Sequence, residues 1–124
     1  MVKTGESAPY GGSVWTRQNV TATVAPPPTA AYRGCFSDQG DPEGTAGRNL
    51  SGAMWRDGRM TTEACLGFCQ QRGFAYAATQ YGTYCFCGNG FGRSGPSRNC
   101  NSPCAGNGGQ TCGGAWANSV HQLR

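Results

Sequence analysis

The sequence predicts a small disulfide-rich α+β domain: a short antiparallel sheet with one main helix clamped to it by disulfides. The first observation is a shortage of core-forming side chains. Leu, Val and Phe together number 13 in 124 residues, and Ile is absent. That is about a tenth of the chain, too little for an ordinary globular core. The second is what stands in their place: eight Cys, in a chain that also holds 21 Gly and seven Pro. A domain this small with so little core needs covalent staples. The third is cysteine spacing. Cys65 and Cys69, at i and i+4, share one face of a helix. Cys85 and Cys87, at i and i+2, share one face of a strand. Pairs so placed allow two parallel bridges between helix and sheet. The same composition excludes a Rossmann domain, a helical bundle and a membrane span, which needs about 20 consecutive apolar residues.

All eight cysteines lie between Cys35 and Cys112. Residues 1–31 contain Gly11-Gly12-Ser13, Asn19-Val20-Thr21 and Pro26-Pro27-Pro28. They read as a Thr/Pro/Gly-rich linker in extended conformation, or as the tail of a preceding domain. Val14-Trp15 belongs either to that tail or to a strand docking on the module. The N-terminus lacks the apolar run of a signal peptide, so the expectation is a piece of a larger secreted precursor with Met1 added.

The module is expected over 32–124. Tyr32 to Phe36 forms a first strand, and Asp38 to Gly47 is rich in turn residues. A helix starts at Thr61 or Thr62, either of which caps it, with Glu63 in the first turn where the helix dipole favours an anion. It runs to about Gln71-Arg72, and Gly73 stops it. Phe74 to Tyr81 is a strand, Gly82-Thr83 a turn, and Tyr84 to Cys87 the returning strand. Gly88 to Gly114 reads as a glycine-rich loop held by cysteines, and Trp116 to Val120 as the closing strand.

Net charge is +4, from ten basic and six acidic residues. No basic run is present, which speaks against a nucleic-acid partner. The spacings CxxxC, CxC and CxxxC, with a single His, point to disulfides rather than zinc, and no metal or cofactor is expected. Disulfides imply an oxidising compartment, hence a secreted or extracellular chain with no membrane insertion. The sequons Asn19-Val20-Thr21 and Asn49-Leu50-Ser51 agree, and make Asn19 and Asn49 candidate glycosylation sites.

Eight cysteines leave on the order of a hundred connectivities open. Periodicity favours pairing helix to strand without choosing the register. Longer motifs carry a resemblance. Tyr32-Arg-Gly-Cys35-Phe36, Arg48-Asn-Leu50 and Met60-Thr61-Thr-Glu63-Ala-Cys65-Leu-Gly-Phe68-Cys69 resemble the WSC domain. So do Gln80-Tyr81-Gly82-Thr-Tyr-Cys85-Phe86-Cys87-Gly88-Asn89, Cys100-Asn101-Ser-Pro103-Cys104-Ala-Gly106-Asn107 and Cys112-Gly113-Gly114. The likeness covers roughly residues 32 to 120. That family is named for fungal cell-wall stress sensors, and occurs beside fungal glycan-active enzymes and in Kremen-type receptors. The resemblance implies a sheet with a helix packed on it. It also implies pairing of Cys65 with Cys85, Cys69 with Cys87, Cys35 with Cys100 and Cys104 with Cys112. His121 stands where family members often carry Tyr.

No catalytic constellation is legible. The module's carboxylates, Asp38, Asp41, Glu43, Asp57 and Glu63, lie in turns or at the helix start. A glycosidase needs two carboxylates held across a sugar-sized cleft. His121 has no partner nucleophile if every cysteine is oxidised. Gly90-Phe-Gly92-Arg-Ser-Gly95 spells a dinucleotide fingerprint but lacks the strand before and helix after it that the motif requires.

The aromatic residues carry more. Phe36 and Phe68 flank cysteines and read as core. The strand alternation turns Tyr84 and Phe86 away from the disulfide face, Trp55 and Tyr81 lie in turn-rich sequence, and Trp116 opens the closing strand; such rings either stay exposed or cover the sheet's second face as a small core. Flat rings beside amides suit sugar recognition, because the C–H face of a pyranose stacks on a ring while Asn or Gln bonds its hydroxyls. The candidate ligand-binding residues are therefore Trp55, Gln80, Tyr81, Tyr84, Phe86, Asn89, Asn107 and Trp116. Together with the resemblance, they give a non-catalytic carbohydrate-binding module of the cell wall, which allows for its being an appendage of a larger secreted enzyme. β-1,3-glucan is the first expected ligand, with chitin or xylan next. The alternative is an extracellular protein-interaction or mechanosensing module that contacts partners, or weakly its own copies, through the aromatic face.

Overall fold

A computed structural model describes residues 30–124. Val14-Trp15, the Asn19 sequon and residues 1–29 of the expected linker lie outside the described residues; its last residue, Ala31, instead opens the first strand.

The chain runs β1 (Ala31–Ser37), β2 (Ala53–Arg56), α1 (Thr62–Gln71), β3 (Tyr76–Gln80), β4 (Tyr84–Gly88), β5 (Pro103–Cys104), β6 (Asn107–Thr111) and β7 (Ala117–Gln122). Five strands form one sheet in the order β1-β7-β3-β4-β2, and β5 pairs with β6 in a second, two-stranded sheet. All pairings are antiparallel.

Local chemistry sets the helix. Thr61 is extended at the N-cap, and its hydroxyl accepts a hydrogen bond from the Ala64 N–H at 3.1 Å. At the other end Gly73 takes φ +80°, its N–H bonds the Gln70 carbonyl, and the Phe74 N–H reaches back to the Cys69 carbonyl. That is a Schellman stop, which requires a left-handed residue at the position glycine fills.

The helix lies on the face of β3 and β4 that carries Ala77, Cys85 and Cys87. Cys65 bridges to Cys85 and Cys69 to Cys87, with Cα atoms 5.4 and 5.3 Å apart. Cys35–Cys100 ties β1 to the long loop, and Cys104–Cys112 closes the small sheet. Of the ten buried residues in the helix-side core, six are cysteines. The staples are thus also the packing material that the aliphatic composition lacks.

The opposite face of the sheet is covered as well. Leu50, Ala78, Phe86 and Val120 are buried there, and Phe36, Met54, Tyr76, Tyr84 and Phe91 pack around them. Strand alternation places Tyr84 and Phe86 on this face as expected. Three details depart from the sequence reading: β2 forms at Ala53–Arg56, the Gly88–Gly114 segment contains the β5–β6 hairpin, and β7 continues through His121 to Gln122.

Candidate functional site

Two aromatic residues stand out by conformation. Tyr81 (φ 53°) and Trp116 (φ 52°) are the non-glycine residues with positive φ among those described. They are also two of the three large apolar side chains left exposed, at 62% and 46%. Tyr81 sits in the β3–β4 loop beside Gly82, which is also left-handed. That loop is fastened from below, because the Gly82 N–H bonds the Cys112 carbonyl and the Ala105 N–H bonds the Gly82 carbonyl. Trp116 sits in a tight turn closed by the Ala117 N–H on the Gly114 carbonyl, and its own carbonyl accepts from the Asp38 N–H. A bulky residue in the left-handed region costs on the order of 1–2 kcal/mol, so such conformations persist only where the surroundings impose them.

Between the two loop tips lies a cleft of about 340 Å³, lined by Arg48, Gln80, Tyr81, Tyr84 and Trp116, with Pro42 and Ala115. Tyr84 is half-buried. Its ring stacks near-parallel to Phe86 at 6.1 Å, and the Arg56 guanidinium lies 5.3 Å from the Tyr84 ring centre.

The cleft floor is a buried polar network centred on Arg48. The guanidinium lies 4.6 Å from the Phe86 ring centre and 4.8 Å from that of Trp116. Its Nη1 donates to Asp38 Oδ2 at 3.0 Å and to Gln80 Oε1 at 2.6 Å. Its Nε donates to the carbonyls of Asp41 and Gly44. Gln80 Nε2 in turn donates to Asp38 Oδ2. Burial pushes the Asp38 carboxyl up, but hydrogen bonds from the Asn49 backbone and side chain, Arg48 and the Gln39 backbone outweigh it and hold the group below its ordinary value. Asp38 therefore stays ionised opposite Arg48.

Of the eight candidate ligand residues, the structure brings Gln80, Tyr81, Tyr84 and Trp116 together. Gln80 lines the cleft, but its amide is committed to Arg48 and Asp38. Phe86 is fully buried at 0% exposure, because Leu50 and Arg48 cover the face it occupies, so it supports the cleft floor from below. Trp55 lies on the helix side of the sheet, stacked on Phe68 at 5.2 Å in a separate groove. Asn89 follows the far end of β4 and accepts from the Ala75 N–H. Asn107 belongs to the small sheet, and its side-chain oxygen accepts from the Gly109 N–H.

The second sequon's Asn49 lies inside the fold. Asn49 is 8% exposed, and its Nδ2 donates to the Ser37 carbonyl, Asp38 Oδ1 and Ser94 Oγ. A glycan needs that nitrogen at the surface. The sulfurs of Cys65, Cys69 and Cys85 lie within 4.8 Å of one another, but all three are consumed in disulfides and offer no thiolate to a metal.

Sequence reasoning missed Asp38 and Arg48 as parts of the site. Arg48 appeared only within a family motif, and Asp38 only among turn residues. Neither spacing nor composition marks a charge for burial.

The WSC domain family model matches residues 32–114. Kremen protein 2 of Mus musculus is 38% identical over 96 residues, covering 74% of this chain and 20% of that protein. A WSC domain-containing protein of Arthroderma benhamiae is 32% identical over 98 residues, covering 77% and 13%. Xylosyltransferase oxt of Drosophila melanogaster is 34% identical over 94 residues, covering 72% and 10%. The chain spans a fifth or less of the length of these curated relatives.

Proposed function

The chain belongs to the WSC domain family, and on that premise we propose that residues 32–124 form a non-catalytic module that binds cell-wall polysaccharide, β-1,3-glucan first and chitin or xylan next. The observation that carries this reading is the pair Tyr81 and Trp116: exposed rings, each held in a backbone conformation that disfavours large side chains, on either side of one cleft. Strain retained at an exposed position is a pointer to function. Exposed rings flanking a shallow cleft suit the apolar faces of sugar rings.

The distribution of relatives supports a travelling recognition module over a reaction centre. The likeness covers a small part of proteins named as differently as Kremen and xylosyltransferase. The four disulfides fit secretion, and on this reading the Thr/Pro/Gly-rich stretch that precedes β1 serves as a linker to a neighbouring domain.

The test is a pull-down on insoluble β-1,3-glucan, chitin and xylan with wild type and Tyr81→Gly at low and high salt. Wild type is expected in the pellet with at least one of the three, little affected by salt, since neutral polymers offer no charge to screen. Tyr81→Gly is expected in the supernatant. Failure of the wild type to bind any of them replaces this reading with the protein-interaction one, which size-exclusion across a concentration series then examines for self-association.

A further inference from the structure

Resting on the reading of the cleft as a glycan site, the geometry points to Arg48 as the residue that bonds the ligand, and to the Arg48–Asp38 pair as the device that selects neutral sugars over acidic ones. A guanidinium has five N–H donors in a fixed fork. Arg48 turns Nε to two carbonyls and both Nη1 donors to Asp38 and Gln80. Its Nη2 makes no hydrogen bond to any described residue. The side chain is 3% exposed and lines the cleft. Nη2 is not among the described buried polar atoms left without a partner, and Arg48 lines the cleft, so its free N–H donors need a polar acceptor on the cleft side. A hydroxyl of a sugar whose ring stacks on Tyr81 or Trp116 supplies that acceptor.

The charge of the site decides which oxygen is favoured. Asp38 Oδ2, 3.0 Å from Nη1, already neutralises the guanidinium, and its side chain is fully buried. A carboxylate on the ligand would reach Nη2 only by approaching Asp38 in a poorly solvated floor, where like charges repel strongly. A hydroxyl meets no such opposition. Gln80 and the flanking rings of Phe86 and Trp116 hold the fork in place, so Nη2 is pre-positioned at no ordering cost to the ligand.

The experiment measures affinity for two soluble probes, a β-1,3-linked glucose hexasaccharide and the same hexasaccharide oxidised at C6 to the carboxylate. Wild type is expected to prefer the neutral probe by at least tenfold, at both low and high salt. Arg48→Lys keeps the charge but lacks the fork, and is expected to lose tenfold or more for the neutral probe. Asp38→Asn uncovers the guanidinium charge and is expected to shift the preference tenfold or more toward the carboxylated probe, with salt sensitivity appearing. Circular dichroism establishes that each variant is folded, and the wild-type comparison of the two probes stands without any variant. Equal or tighter binding of the carboxylated probe by wild type overturns the selectivity. Binding of the neutral probe that Tyr81→Gly abolishes but folded Arg48→Lys retains within twofold overturns the role of Arg48 while leaving the glycan reading intact. If neither probe binds and Tyr81→Gly changes nothing, the glycan reading itself falls, and the inference with it.

Discussion

Tyr81 carries its ring on a backbone that glycine occupies without steric cost. The ring makes no aromatic or cation contact with a described residue, unlike Trp116, which lies against Arg48. Tyr81→Gly therefore separates stability from recognition. Relief of the left-handed strain is offset in part by the greater freedom of glycine in the unfolded chain. Calorimetric or chemical unfolding is expected to show no loss, and a gain of at most about 1 kcal/mol. Glucan affinity is expected to fall roughly tenfold or more, since truncating a stacking anchor removes on the order of 1–3 kcal/mol. A destabilised variant with unchanged binding would reverse both halves. Asn49 carries the opposite lesson. Its amide is spent inside the fold, so peptide mapping of the chain secreted from a eukaryotic host is expected to find Asn49 bare. Asn49→Ala should cost about 1–3 kcal/mol through the partners it leaves unbonded. At this scale the sequence was informative about direction but not cover. Alternation put Tyr84 and Phe86 on one face, and nothing local told that Leu50 and Arg48, brought in by a loop, bury one and leave the other beside the cleft.

Elements with strong local chemistry were legible: the cap at Thr61, the stop at Gly73 and the paired Tyr76–Gln80 and Tyr84–Gly88 strands all follow from residue type. β2 and β6 were not. Ala-Met-Trp-Arg shows no alternation of apolar and polar residues, and Asn-Gly-Gly-Gln-Thr has poor strand propensity. These strands exist because pairing with β4 and closure by Cys104–Cys112 impose them. β7 extends past Val120, which places His121 inside a strand, paired with Ala77 and Tyr32, its ring 5.2 Å from that of Tyr32 and tilted by 55° to it. Burial pushes the His121 pKa down, and the Ser119 backbone bond and the Glu63 charge oppose it only in part. A depressed histidine stabilises the fold fully above its unfolded value of about 6.5 and loses that contribution as pH falls through the folded value. Asp38, also depressed, adds stability above about pH 3.9 that is lost on further acidification. Stability is thus expected to decline in two separate stages, below about pH 6.5 and below about pH 4. In His121→Phe the first stage should vanish and the second remain. Urea melts across a pH series read this, and a first stage that survives the substitution would assign it to another group.

Over the whole molecule, the disulfides do two separable things, and their ranking tells which dominates. A cross-link restricts the unfolded chain more when it closes a longer loop. The Cys35–Cys100 bridge spans 65 residues and the Cys104–Cys112 bridge spans 8. On the chain-entropy account their removal costs about 4.3 and about 2.5 kcal/mol respectively. Packing points the other way. Cys104 and Cys112 are buried in the helix-side core at 2% and 0% exposure, whereas Cys35 and Cys100 are only half-buried. Paired Cys→Ala replacements, Cys35 with Cys100 in one variant and Cys104 with Cys112 in the other, place the two effects in competition. The expected order follows loop length, with the Cys35/Cys100 variant melting lower, because Ala fills most of a cysteine's volume and leaves little cavity. The reverse order in urea or thermal melts would show that sulfur packing, not chain restriction, holds the fold. Reducing all four bridges removes both contributions, at roughly 2–4 kcal/mol each, against a net stability of about 5–15 kcal/mol for a domain of this size. Full reduction is therefore expected to unfold the module outright, seen as collapse of its NMR dispersion. Dispersion that persists under reductant would mean that Leu50, Phe86, Val120 and their neighbours form a core sufficient without staples.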